Sequence, residues 1–166
     1  VDAAWAAHYG FHPELPEHPL AEGADIVVTS AHKTLPAWSQ ASFVLVREGL
    51  VDLKRFNKAF DSTQTTSMSG RILASMDASR ALLQLHGHDL IDPIIDATEK
   101  GRATLVANGI DVIDGEYIDP LKLVILLPKT GADGNLVEKD LLDANIDVEM
   151  ANRDLIIPMI TFADTP

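Results

Sequence analysis

Apolar residues in this chain fall into two kinds of pattern, short β-branched runs and longer stretches at helical spacing. The run Ala24-Asp25-Ile26-Val27-Val28-Thr29-Ser30 follows Gly23 and reads as a buried strand. A second run, Ser42-Phe43-Val44-Leu45-Val46-Arg47, has the same character, and the link between them, Ala31 to Ala41, carries Pro36. Strands this apolar belong inside an α/β sheet rather than on one that faces solvent. From Leu50 to Phe60 the period turns helical, and the polar stretch Asp61 to Ser67 interrupts it as a loop. A helix is expected over Ile72–Leu85, closed by His86-Gly87-His88 with a glycine cap. A further helix is expected from Leu90 to about Ala107, with Pro93 in its first turn.

The character changes after Asn108-Gly109. Ile110–Ile113, Leu121–Leu127, Ile146–Met150 and Leu155–Ile160 read as four strands. Between the second and third, the turn Gly131 to Asn135 introduces an amphipathic helix, Leu136–Ala144. The pattern therefore predicts an α/β portion over 1–108 and a smaller α+β portion over 109–166. No internal repeat is present.

Composition narrows the class. The 166 residues are 46% hydrophobic and 23% charged, the balance of a folded protein with a true core. A formal net charge of −12 opposes binding to a phosphate backbone, so no nucleic-acid partner is expected. The absence of cysteine excludes disulfides and thiolate chemistry. No apolar run reaches the roughly 18 residues a membrane helix needs, and Val1-Asp2-Ala3-Ala4-Trp5 lacks a basic signal-peptide start. A cytoplasmic protein with no membrane contact is the expectation, and the first residues read as starting within a fold.

Lys33 lies in Ser30-Ala31-His32-Lys33-Thr34-Leu35-Pro36, just past a strand. Carboxyl ends of strands in open α/β sheets are where ligands collect. An amine there, partly desolvated, becomes a candidate nucleophile toward a carbonyl. Asp2 follows a strand end in the same way about thirty residues upstream. Taken singly, each residue has an ordinary reading: Lys33 as a solvated side chain, Asp2 as a turn or cap residue, His32 as a core histidine. His8, His12 and His18 lie near Glu14 and Glu17, but a proline-rich loop does not aim them at one ion, and no metal is expected.

The ordered string from Val1 through Pro16, then Gly23–Val28, then Ser30–Leu35, resembles the large-domain core of the ornithine/lysine/arginine decarboxylases. The similarity continues through Ile72–Arg80 and more loosely to the end. It implies the C-terminal part of a large domain of the pyridoxal-phosphate-dependent transferase fold (fold type I), followed by a small α+β domain. It implies decarboxylation of an amino acid, with a basic substrate favoured, and pyridoxal 5′-phosphate as cofactor. An aminotransferase or another lyase of the same fold, and a non-catalytic scaffold, are the alternatives.

By the same resemblance Lys33 would hold the cofactor as a Schiff base and Asp2 would pair with its pyridine nitrogen. Ala4 would pack on one ring face with Trp5 beside it, and Ser30 and His32 would contact the phosphate or the substrate carboxyl region. Thr66 and Ser67 would reach the phosphate of a neighbouring subunit, which implies a homodimer with a shared active site. Two departures bear on substrate choice: the family commonly has an acidic residue at the position of Ala3, and Pro and Tyr at those of Met68 and Gly70. The family's phosphate-binding glycine loop would lie upstream of Val1, so residues 1–166 alone are expected to bind the cofactor weakly and to turn over no substrate.

Overall fold

A computed structural model describes residues 1–164, so the last two residues of the 109–166 portion lie outside the described residues. The chain divides into two compact units, one from Val1 to Gly87 and one from His88 onward.

In the first unit, β1 (Ile26–Thr29) and β2 (Phe43–Val46) pair antiparallel, Ile26 opposite Val46 and Thr29 opposite Phe43. Residues 1–4 run beside β1 in the parallel sense: Val28 N–H donates to Val1 O at 3.0 Å, Ala3 N–H to Val28 O at 2.8 Å, and Ser30 N–H to Ala4 O at 3.3 Å. Val27 and Thr29 are buried while Val28 is 44% exposed. The strand therefore has one covered face within the described residues, where its unbroken apolar run suggested two. One helical turn, α1 (Ala31–Thr34), follows β1 directly.

The helix α2 (Leu53–Thr63) starts at Asp52, whose carboxylate accepts from the N–H groups of Lys54 and Arg55. It runs three residues into the stretch expected to be loop. The Ser62 and Thr63 hydroxyls donate to the Ala59 carbonyl and stay inside the last turn. No residue of α2 is buried.

The two helices expected around His86-Gly87-His88 are one, α3 (Gly70–Ala107), with Pro93 inside it. Gly87 does not cap anything. It is buried, and a Cβ there would stand 3.0 Å from the Phe11 carbonyl oxygen, so the missing side chain permits a close backbone approach.

In the second unit, β3 (Asp111–Ile113), β4 (Val124–Leu126), β5 (Met150–Asn152) and β6 (Leu155–Ile157) form an antiparallel sheet in the order β3-β4-β6-β5. Leu121, Leu123, Ile125 and Leu127 are buried at every second position. Leu123, Ile125 and Leu127 make, with Ile156, the core against which Leu105, Val137 and Leu141 pack. Each such side chain contributes roughly 1.5–3 kcal/mol by leaving water.

The last turns of α3 belong to this second compact unit. Leu105 packs on its core, Gly101 faces Leu123, and buried Arg102 donates to the Ile113 carbonyl at 2.7 Å.

The strand expected at 146–150 begins only at Met150. Asn145 adopts φ 60° after α4 (Gly134–Asp143), and Ile146 N–H turns back to the Leu141 carbonyl at 2.9 Å. That donor closes the helix and is lost to the sheet. The last strand stops before Pro158, which has no N–H to give.

Candidate active site

The parallel pairing of residues 1–4 with β1 brings the two sequence-distant candidate segments to one sheet end. Asp2 pairs with Val28, and two residues further Ser30 donates to Ala4. Beyond that level the chain enters Trp5 on one side and α1 on the other. There the Lys33 ammonium lies 5.9 Å from the centre of the Trp5 ring. An exposed amine over an indole gains about 0.5–1 kcal/mol, enough to bias where the amine rests without fixing it.

The Asp2 carboxylate accepts from Ala4 N–H at 3.1 Å, which turns the following residues toward α1. Ala4 and Trp5 are half-buried. Ser30 precedes α1 and makes no side-chain capping bond, so its hydroxyl is not committed to the helix. His32 is half-buried, and its Nδ1 donates to the Ala41 carbonyl at 2.8 Å.

Lys33 itself is exposed. The desolvation an imine-forming amine calls for is therefore not provided within the described residues, contrary to the sequence expectation of a partly covered lysine. Thr66 and Ser67 are also exposed, in the loop after α2, and Ser67 N–H donates to the Thr65 hydroxyl. The structure does not join them to Asp2, Ser30 or Lys33 by any hydrogen bond among the described residues.

The histidine-rich loop serves its own backbone. His12 Nδ1 accepts from Glu14 N–H and His18 Nδ1 from Leu20 N–H, both at 3.2 Å. Partial burial lowers the pKa of His18. A cavity of about 340 Å³ lies in the same unit, walled by Tyr9, Phe11, Phe43 and Leu45, with Thr29 and His18 on its lining. Neither Asp2 nor Lys33 borders it, so cavity size does not mark the candidate chemistry here.

An amine, a carboxylate, an indole and an uncommitted hydroxyl thus share the end of one strand pair. That set suits a planar, anionic, carbonyl-bearing cofactor: the amine can bond its carbonyl, the carboxylate can hold a proton on a ring nitrogen, and the hydroxyl can donate to a phosphate. Sequence reasoning missed Ala41 and the turn that presents it. Gln40 there has φ 73°, and a left-handed glutamine leaves no mark in the residue pattern.

Residues 1–115 match the family model described as the major domain of the Orn/Lys/Arg decarboxylases. The chain belongs to this family. The arginine decarboxylase of Halalkalibacterium halodurans is 35% identical over 180 residues, covering 99% of this chain and 36% of the relative. The constitutive lysine decarboxylase of Escherichia coli is 26% identical, covering 94% of this chain and 28% of the relative. Among solved structures, lysine decarboxylase A from Pseudomonas aeruginosa superposes with a TM-score of 0.78 at 22% identity, over 99% of this chain and 30% of that one. The last likeness shows the mixed α/β fold alone. The chain spans about a third of the length of the curated relatives it matches. No described helix is long and apolar enough to cross a membrane.

Proposed function

We infer that this chain is part of a pyridoxal-phosphate-dependent enzyme that decarboxylates an amino acid, a basic one by the names of its relatives. Residues 1–108 would belong to the cofactor-binding large domain of fold type I and the remainder to the small α+β domain. The observation that carries the reading is the Lys33 ammonium over Trp5, at the strand end where residues 1–4 run beside β1. Family membership gives that arrangement its chemistry.

Pyridoxal 5′-phosphate, when bound, supplies an electron sink for the pair left behind as the substrate carboxyl group departs as carbon dioxide. The chain's own residues position and protonate. The Lys33 amine would hold the cofactor through its carbonyl group. Asp2 would hold a proton at the ring nitrogen, and Ala4 and Trp5 would line the place of the ring. Ser30 donates toward an anionic group. Lys33 or His32 returns a proton to the substrate α-carbon after carbon dioxide leaves. Thr66 and Ser67 would serve the phosphate site of a second copy in a homodimer, consistent with their exposure. The reading requires that the exposed Lys33 be enclosed in the assembled protein.

In the complete, cofactor-loaded protein, Lys33→Ala should abolish the visible absorbance of the lysine-bound cofactor, and an unchanged spectrum would refute the assignment. Product analysis separates the reaction from its nearest rival on this fold: carbon dioxide release marks decarboxylation, and a keto acid marks amino transfer.

A further inference from the structure

One face of the β1–β2 pair walls the cavity of about 340 Å³. Thr29 stands directly opposite Phe43, and Leu45 follows two residues along β2, so the three side chains project from the same side of the pair. All three line the cavity, and Phe11 lines it from the segment that precedes β1. The walls are therefore apolar and partly aromatic, with one strand hydroxyl set among them. Thr29 is 3% exposed, and among the described residues its hydroxyl oxygen meets no hydrogen-bond partner. Buried Ser79 and Thr98 return their hydroxyls to helix carbonyls four residues back, both at 2.8 Å, an acceptor that a strand does not offer Thr29. A buried hydroxyl without a partner is costly, and a ligand that supplies the partner recovers that cost.

The remaining lining restricts what such a ligand can be. Roughly 150 Å³ of enclosed apolar space accepts benzene, so a cavity of about 340 Å³ has room for two fused rings. The guanidinium on the lining, Arg80, is already shared, with Nε and Nη2 donating to the Asp77 carboxylate and Nη1 to the Gln84 side chain. A charge carried in by a ligand would lose water and find its counter-charge taken. His18, also on the lining, accepts Leu20 N–H at Nδ1, so its neutral ring carries the proton on Nε2 and has a donor to offer. Partial burial favours that neutral ring. A ligand hydroxyl, which both donates and accepts, suits Thr29 and this donor alike.

We propose that this cavity binds a small neutral aromatic alcohol, two fused rings in size, held by packing on Phe11 and Phe43 and by a hydrogen bond between its hydroxyl and that of Thr29. Neither Asp2 nor Lys33 borders the cavity, so the site stands apart from whatever Lys33 holds.

The probes are 2-naphthol and naphthalene, which differ by one hydroxyl. Equilibrium dialysis against the complete protein, read by ligand absorbance, gives both affinities. Thr29→Val keeps the β-branched shape of a strand residue and removes only a hydroxyl that has no partner, so the fold is retained. It should bind naphthalene at least as tightly as the wild type does. The ratio of 2-naphthol affinity to naphthalene affinity should fall roughly tenfold in this variant, because the ligand hydroxyl then leaves water and gains nothing. Thr29→Ser, which keeps the hydroxyl and loses the methyl group, should restore the wild-type ratio.

No binding of 2-naphthol, a ratio equal in wild type and Thr29→Val, or a serine variant that behaves like the valine one would each overturn the proposal. The cofactor assignment is unaffected by any of these outcomes, since the Lys33→Ala spectrum judges it separately.

Discussion

Replacing Gly134 by alanine tests how tightly the second unit is built. Gly134 opens α4 and is buried, and its N–H donates to the Arg153 carbonyl at 3.0 Å. A Cβ at this position would overlap the Asn152 carbonyl oxygen and stand 3.0 Å from that of Leu155. Both obstacles are backbone atoms of the β5–β6 hairpin, so no side chain can swing aside. The helix has to lift from the sheet, which disturbs the contacts of Val137 and Leu141 with Ile156.

Overpacking of this kind costs about 1–3 kcal/mol or more, and losing the Gly134 to Arg153 hydrogen bond adds about 1 kcal/mol. Alanine's better helix propensity returns at most about 1 kcal/mol. The net loss should be roughly 1–4 kcal/mol, a fall in Tm of roughly 2–16 °C for a chain of this length. Gly101→Ala is the matched control. It is helical, and its Cβ would meet only Leu123 Cδ1, at an ordinary 3.7 Å, so it should be neutral or stabilise by up to about 1 kcal/mol. Thermal unfolding followed by circular dichroism compares the three. Equal midpoints for wild type and Gly134→Ala would refute the close-approach argument.

Arg102→Leu should destabilise the second unit by roughly 2–4 kcal/mol in denaturant melts, because the carbonyls of Ile113 and Lys122 lose a buried donor, and lysine at 102 should not restore it for want of a forked head. Asp52→Ala should lower helical ellipticity through α2 without moving the main unfolding midpoint. That helix buries no residue and is too short to persist without its cap, and a shifted global midpoint would contradict the local picture. His18 contributes with a definite sign. Its folded pKa is depressed by burial, so its contribution is complete above the ordinary value of 6.5 and is lost as pH falls from there through the lowered folded value. Stability measured across that window should lose part of its slope in His18→Gln, and an unaltered slope would count against a folded-state origin.

Element types were largely legible because burial repeats every second or fourth residue and the sequence carries the same period. The strands at Ile26–Thr29, Phe43–Val46 and Val124–Leu126 stand inside the apolar runs that predicted them, and α4 begins two residues before the helix expected at Leu136. What was not legible came from contacts between distant residues. Gly87 resembles a helix stop, yet its bare Cα answers to Phe11. Ile146 is apolar like a strand residue, but its N–H is taken by Leu141 once Asn145 turns left-handed. At the candidate site, Lys33 and Asp2 were singled out by position after strands, and family resemblance gave them roles. The Ala41 carbonyl was invisible, since any residue type could have supplied it.

The strand pairing that sets Asp2 beside Val28 also constrains the order of events in folding. The Val1 nitrogen and the Ile26 carbonyl that meet at its far end are 25 residues apart, with no regular element between them. The β1–β2 pair, by contrast, closes a shorter loop and can form first. Closing the longer loop costs more chain entropy and is repaid by few bonds, so this edge should zip last and open first. The lysine's own hairpin would then exist before its carboxylate counterpart arrives, and amide exchange at Ala3 and Val28 should run faster than at Leu45 or Arg47.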